Sequence, residues 1–535
     1  MGNRSSGFKA AVQGVFYIGV LALLTARSVS APISHDEIQF IVPGQLLAYH
    51  AQVPYVDYPY THMPYGILLY AGSALISTYD YLAARLVSSL TWMGTILLMV
   101  AILRSLRRPH ASEADAGPSW GELGWEFLLV LAFINHGPEM GVMRTVLNHG
   151  PATLFTLLSV WFMLRGLKGR MPALKAAALS GACITIAGLI RFNFASLAVV
   201  MLGCWLVFGL WFHKAETRKL VLSFLGGMAV ASLPALTLLA AAPKTFYYSN
   251  LVYIRLNTAY YEGLLYKTGM SLPQKVDGFI QGVLLRPLET LLYLLLLSSL
   301  ALAAQRIMRR QSEVEVARLA LCGFAAGLWL SAFAPTPTLI HYFAGPIPFL
   351  FVLLGSFRLQ SQWWERWGQM AVAVALAAAA VITDGVRSPV TASAALARPS
   401  QWPPVQVHTF AMSLKEHIDS GGILTLNPVI PLEAGYDAYP FTATGPFTWR
   451  TSLLLTADRR REYGVTSPEE LDQVLDLNPP AGILVGWEGP NAGFGFQDQG
   501  GLERPFEDYA VAQGYTPIDL SPPFWSRGLT LWIRP

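Results

Sequence analysis

Two acidic residues stand side by side at Asp36 and Glu37, in a stretch reading SHDEIQFIVPGQLLAYHAQVPYVDYPYTHMPYG that follows the first apolar run. Adjacent carboxylates at an apolar boundary repel one another and resist ionisation, which suits a general base, a bound cation or a cationic partner. The same spacing fits a helix start, with Ser34 as the N-cap and both acids in the first turn. Asp57, Tyr58 and His62 follow as candidates to contact a substrate. Their neighbours Tyr55, Tyr60 and Tyr65 suit an interfacial belt or sugar stacking equally well. Farther along, Arg191 is enclosed between two apolar runs in ITIAGLIRFNFASLAVV. A charge there is costly unless compensated, so it either anchors an anion or snorkels to headgroups. Arg255, in the Tyr-rich FYYSNLVYIRLNTAYYEGLLYK, belongs to a lid over a site or to an interfacial helix. Arg144, Asn148, His149, His341 and Tyr342 are candidates by membership of neighbouring loops.

The elements that must position these groups are membrane helices. With 53% apolar and 13% charged residues, a chain of 535 cannot surface itself with polar groups. That excludes a cytosolic enzyme, a disordered scaffold and a disulfide-framed secreted domain. Cys183, Cys204 and Cys322 all lie in apolar runs. Eleven spans are expected, at 8–26, 82–103, 122–135, 151–164, 173–190, 193–212, 220–241, 286–304, 317–334, 342–357 and 368–383. The segment PYGILLYAGSALISTY, Pro64 to Tyr79, is read as an interfacial or re-entrant helix, because a span there would invert every later one.

The charge is divided in a way the net +4 conceals. Residues 1–383 hold 27 Lys and Arg against 16 Asp and Glu, a balance of +11, and residues 384–535 hold 10 against 17, a balance of −7. Eighteen of the 27 basic residues fall on alternate loops, among them Arg104, Arg107, Arg165, Lys168, Lys214 and Arg218. Those loops are expected on the cytoplasmic side, with the N-terminus. All the candidate site residues then face the extracytoplasmic side, as does the acidic tail. The basic residues form no patch, so no nucleic-acid partner is expected.

It is in the first loop that the sequence resembles a family, the GT-C membrane glycosyltransferases. The tandem Asp36-Glu37 after the first span looks like their acidic motif, and the run from Gly44 through PYVDYPYTHMPYG to Gly66 looks like the protein O-mannosyltransferase and aminoarabinose-transferase branch. YDYLAARLVSSL with Arg85, MRTVLNHGPATLF and HYFAGPIPFLFVLLG from His341 have the same look, over about the first 360 residues. Two positions depart from it: His62-Met63-Pro64 stands for the usual His-Pro-Pro, and Asn148-His149 for a second-loop acid.

The resemblance implies a polytopic α-helical GT-C fold and transfer of a sugar, hexose or pentose, from a polyprenyl-phosphate donor to an envelope acceptor. The acceptor would be a lipid, glycan or protein at the extracytoplasmic face of a bacterial inner membrane. Asp36 would be the base, supported by Glu37, with Arg191, Arg255, Arg144, His341 and Tyr342 holding the donor phosphate. Asp57, Tyr58, His62, Asn148 and His149 would contact substrate. Asp36, Glu37 and His62 carry donor atoms for a divalent cation, and the sequence leaves open whether one binds. The alternative is a transporter, flippase or scaffold subunit for polyprenyl-linked intermediates, using the same charges as a headgroup site. There is no G-x-G-x-x-G after a strand and no Walker loop, and GPNAGFGFQDQGG at 489–501 reads as a flexible loop.

The expected organisation is a membrane catalytic domain at 1–383 with juxtamembrane helices over 31–80, a linker at 384–404 and an extracytoplasmic α/β domain at 405–535. In that last part QVHTFAMSLKEHIDSGG, TSPEELDQVLDLNPP and FEDYAVAQGY predict helices, alternating with strands at ILTLNP, AGILVGW and LTLWIR. The aromatic stretch EAGYDAYPFTATGPFTWRTS, 433–452, is expected to pack against the membrane domain or to help bind acceptor.

Overall fold

The computed structural model describes residues 2–107, 118–136, 141–285, 297, 300–301, 303–309, 312–356, 394–488 and 501–535. Among these, six helices are long and apolar enough to cross a membrane. They are α1 (Gly2–Ser30), α4 (Asp80–Arg107), α6 (His149–Leu167), α7 (Ala173–Ile190), α8 (Leu197–Phe212, entered by a 3-10 turn at Phe192–Ser196) and α9 (Thr217–Ala241). Shorter helices, α5 (Trp120–Ile134), α12 (Glu315–Ser331) and α13 (Ile347–Ser356), coincide with three further expected spans. Most of the expected span at 286–304, all of that at 368–383, the first half of the linker and the glycine-rich loop at 489–500 lie outside the described residues.

Between α1 and α4 the chain makes two helices that do not cross, α2 (His35–His50) and α3 (Tyr65–Ala74). Ten residues rise only about 15 Å, half a bilayer core, so α3 is too short to span one. Helix direction then sorts the charges. The helices α4 and α6 start at Asp80 and His149 and end at Arg107 and Leu167, whereas α7 runs back to Ile190 and delivers Arg191. Arg104, Arg107, Arg165 and Lys168 therefore gather at one end of the bundle, where the Lys168 ammonium donates to the Ser105 carbonyl. The opposite end carries α2, α3, Arg191 and two outer helices, α10 (Tyr253–Gly263) and α11 (Leu272–Phe279).

The C-terminal region folds on that second end. Its four-stranded sheet has the order β1-β2-β4-β3, from β1 (Ile423–Leu424), β2 (Gly482–Val485), β3 (Thr516–Leu520) and β4 (Leu529–Ile533). The β1 and β2 strands pair in parallel and the other two ladders are antiparallel, the partly parallel sheet the alternation predicts. Strand β3 has no sequence signal strong enough to find it: TPIDL is an exposed edge with a proline. The three expected helices form as α14 (Pro403–Ser413), α17 (Leu471–Leu477) and α18 (Arg504–Ala512), with α15 (Val429–Glu433) and α16 (Pro446–Thr451) between the first two.

The region does not hang on a tether. Ile38, Ile41 and Val42 of α2 share one buried core with Val407, Val429, Ile430 and Leu484. Gly445 enters α16 at φ +61, and a Cβ there would stand 3.1 Å from Ile38 Cγ2. A glycine is needed for both the backbone turn and the close approach. The stretch 433–452 is thus an interface with the first membrane-boundary helices.

Candidate active site

The tandem acids point in different directions. Ser34 is extended at φ −115 and ψ 136, its Oγ accepts from the Asp36 amide at 3.3 Å, and its own N–H donates to Glu37 Oε2 at 3.1 Å, a closed capping box. The helical pitch turns Glu37 about 100° from Asp36. Glu37 faces inward with no exposed surface. Its Oε1 accepts from Arg85 Nε at 3.1 Å and the Val146 amide at 2.8 Å, and its Oε2 from Arg85 Nη2 at 2.8 Å and the Tyr81 hydroxyl at 2.5 Å. Arg85 spends its remaining donors on the carbonyls of Ser28, Ala31 and Pro32, at 2.7, 2.6 and 2.8 Å. Glu37, expected beside Asp36 in catalysis, is instead consumed by this knot and can only position its neighbour. The half of the first-turn reading that made it a capping residue holds.

Asp36 faces outward, with its side chain 42% exposed and His35 Nε2 3.4 Å from Oδ1. Its charge acts on His341 and Tyr342, whose rings lie 4.5 Å apart. The His341 ring is 6.2 Å from that of His149, whose Nδ1 accepts from Arg191 Nη1 at 3.3 Å. Burial pushes the Arg191 guanidinium down to about 10, still charged at neutral pH, and its enclosed Nε finds no partner among the described residues. His62 completes the group. Its Nε2 donates to Gln39 Oε1 at 2.5 Å, and burial, reinforced by Arg191, drives its pKa down to about 3, so the ring stays neutral. Tyr55, at φ 69, bends the loop that delivers it and donates its hydroxyl to the His62 carbonyl. Residues from five separate stretches thus converge: an acceptor of protons at Asp36 beside one fixed cation and several imidazole donors.

The other candidates lie apart. Asp57 caps its own turn, accepting from the Val53 amide at 2.6 Å, and Tyr58 is buried behind it. Asn148 is a strut whose Nδ2 donates to the Ile190 carbonyl at 3.1 Å, fixing the turn before Arg191. Arg144 stands beside Arg27 and gives its carbonyl to Ser28. Arg255 is exposed on the face of α10 opposite the one that meets Arg450. Among the described residues no three His, Cys, Asp or Glu side chains are placed to hold a metal. Of the three donors named for a cation, Glu37 is bound to Arg85 and His62 to Gln39.

Two groups were missed, and both come from the C-terminal region. Arg450 of α16 is buried; its Nη2 donates to Asn257 Oδ1 at 2.7 Å, and its guanidinium lies 4.7 Å from the Tyr260 ring and 4.6 Å from Phe447. Its charge also reaches Tyr342. Glu488 follows β2 and lies within electrostatic reach of His35, Asp36 and Arg450. Arg450 sits inside the aromatic stretch the sequence marks; nothing in the sequence marks Glu488.

No protein-family model matches the chain, and no curated protein sequence does. Solved structures do. ArnT from Cupriavidus metallidurans, bound to undecaprenyl phosphate, superposes with a TM-score of 0.54 at 12% identity, over 98% of each chain. The Archaeoglobus fulgidus oligosaccharyltransferase, tethered to an acceptor peptide containing the NVT sequon, gives 0.50 at 12% identity, over 88% of this chain and 69% of that one. At such identities the likeness is one of fold.

Proposed function

The chain is a polytopic helical membrane protein with the GT-C fold, and from that premise we propose that it transfers a sugar from a polyprenyl-phosphate donor to an acceptor hydroxyl. The observation that carries this reading is the exposed Asp36 carboxylate beside the Arg191, His149, His341 and His62 group. The acceptor oxygen attacks the anomeric carbon while Asp36 takes its proton. The bond from that carbon to the phosphate oxygen breaks, and the phosphate leaves with the electron pair. Arg191 and the imidazole N–H groups hold the charge that develops on it. Glu37 is enclosed and cannot act as a nucleophile, and with Asp36 acting as the base the displacement is single and inverts the anomeric centre. The undecaprenyl phosphate bound to ArnT supports a lipid phosphate as the donor's carrier. The concentration of Lys and Arg at the other end of the bundle supports an extracytoplasmic site in a bacterial inner membrane.

The test is sugar transfer by the protein in nanodiscs, with synthetic polyprenyl-phosphate hexoses and pentoses as donors. Asp36→Asn should reduce turnover at least a hundredfold while leaving polyprenyl-phosphate binding unchanged. Full activity in that variant would sink the mechanism. Binding without cleavage of any donor by the wild type would favour a headgroup carrier.

A further inference from the structure

Glu488 is a second carboxylate at the mouth of the site, and the C-terminal region is built to hold it there. Its backbone is fixed by Glu503, which is buried and accepts from the Gly486 amide at 2.9 Å and the Glu488 amide at 3.1 Å through Oε2. Gly486 turns the chain out of β2 at φ +100 to make this possible. Trp487, between them, stacks on Trp525 at 4.3 Å and anchors the turn in the core. Glu488 Oε1 is enclosed and accepts no hydrogen bond among the described residues.

Its surroundings are the acceptor side of the site. The segment around α16 sits on the start of α2, with the Phe447 ring 5.7 Å from His35 and the Arg450 guanidinium over Phe447. Tyr260 and Tyr261 of α10 meet the Arg450 guanidinium, their rings 5.4 Å apart and nearly perpendicular. Asp36, in the first turn of α2 and within electrostatic reach of Glu488, stands beside them.

An enclosed carboxylate oxygen with no donor is costly unless a ligand supplies one. Asp36 and Glu488, within electrostatic reach of each other, together repel a phosphate and favour a molecule that brings several O–H donors. Resting on the transfer reaction proposed above, we infer that the acceptor is a carbohydrate, and that Glu488 accepts a hydrogen bond from a hydroxyl next to the one Asp36 deprotonates. Glu488 is thus a specificity residue contributed by the C-terminal region. Burial raises its pKa, and His35, Arg450 and Arg527 oppose that rise.

The experiment measures transfer from one synthetic polyprenyl-phosphate hexose to octyl glucoside, octyl mannoside, octyl galactoside, octanol and a lipid phosphomonoester, alongside donor hydrolysis by water. At least one glycoside should serve as acceptor well above octanol and the phosphomonoester. Glu488→Gln should raise KM for that glycoside about tenfold with kcat changed less than threefold. On the wild type, the deoxy analogue lacking the neighbouring hydroxyl should show a similar loss, which Glu488→Gln should not deepen. That substrate series needs no variant and decides the matter if Glu488→Gln misfolds. Equal use of octanol or the phosphomonoester, or an unchanged KM in a folded Glu488→Gln protein, overturns the assignment. In either case Asp36-dependent donor hydrolysis would still stand, so this failure is distinct from failure of the transfer reaction itself.

Discussion

Arg85 grips Glu37 across 48 positions of sequence with two parallel hydrogen bonds, and neither side chain has any exposed surface. Removing one member strands the other's charge in the interior, at about 3–5 kcal/mol. Glu37→Gln and Arg85→Met should each lower thermal stability sharply. The double substitution should recover part of the loss, because no charge is then left unpaired. Thermal unfolding of all four proteins measures the coupling, and simple additivity would mean that the knot is not a unit.

Arg191 is a fixed cation in the proposed phosphate site. Arg191→Gln should weaken binding of polyprenyl phosphate by roughly tenfold to a hundredfold, the range of a hydrogen bond to a charged group. Arg191→Lys should recover only part of that affinity, since it loses the bond to His149. Titration with polyprenyl phosphate in nanodiscs reads both.

Where the C-terminal region meets α4, Glu433 Oε1 lies 3.1 Å from His408 Nδ1, and Tyr79 stacks on His408 at 3.7 Å. Asp80 is close by, held by Gln45 and Tyr49 at 2.7 and 2.6 Å. Burial raises the Glu433 carboxyl from 4.5 to about 7, so between those values the folded protein keeps a proton that the unfolded chain releases. Stability from this group therefore falls as pH rises through that window and levels off above it. Glu433→Gln removes the titration, so its stability relative to wild type should climb by roughly 2–3 kcal/mol between pH 4.5 and 7. Unfolding midpoints at four pH values test the slope, and a constant difference would contradict it.

Helices α7 and α9 touch backbone to backbone. A Cβ on Gly227 would stand 1.9 Å from the Ala178 carbonyl oxygen, and one on Gly181 2.1 Å from that of Phe224, whereas Gly226 has open space beside it. Gly227→Ala should cost about 1–3 kcal/mol through overpacking. Gly226→Ala, its immediate neighbour, should be neutral or slightly stabilising. Thermal stability of the purified pair distinguishes the contact from a general dislike of side chains in this helix.

The membrane helices were legible because lipid demands long apolar runs and because Lys and Arg mark one end of each. The sequence pattern also carried Ser34 as a cap and Asp36 and Glu37 as a pair. It could not divide their labour, which depends on which of two adjacent directions meets Arg85. Arg191 was legible as a charge among apolar residues, while Arg255, as charged and as close to aromatics, proved to lie on the wrong face of α10. Glu488 was invisible because its meaning comes from Glu503 and Asp36, one near in sequence and one some 450 residues away. Tertiary partners of that kind leave no local period or motif.

The docking of α16 against α2 also sets an order of events in time. The ribosome makes Asp36 more than 400 residues before Arg450 and some 450 before Glu488. At 5–20 residues per second the interval is roughly half a minute to a minute and a half. Through that interval the nascent chain carries Asp36 without the groups that complete its surroundings. A half-made copy would therefore hold the start of α2 bare until the segment around α16 arrives to cover it.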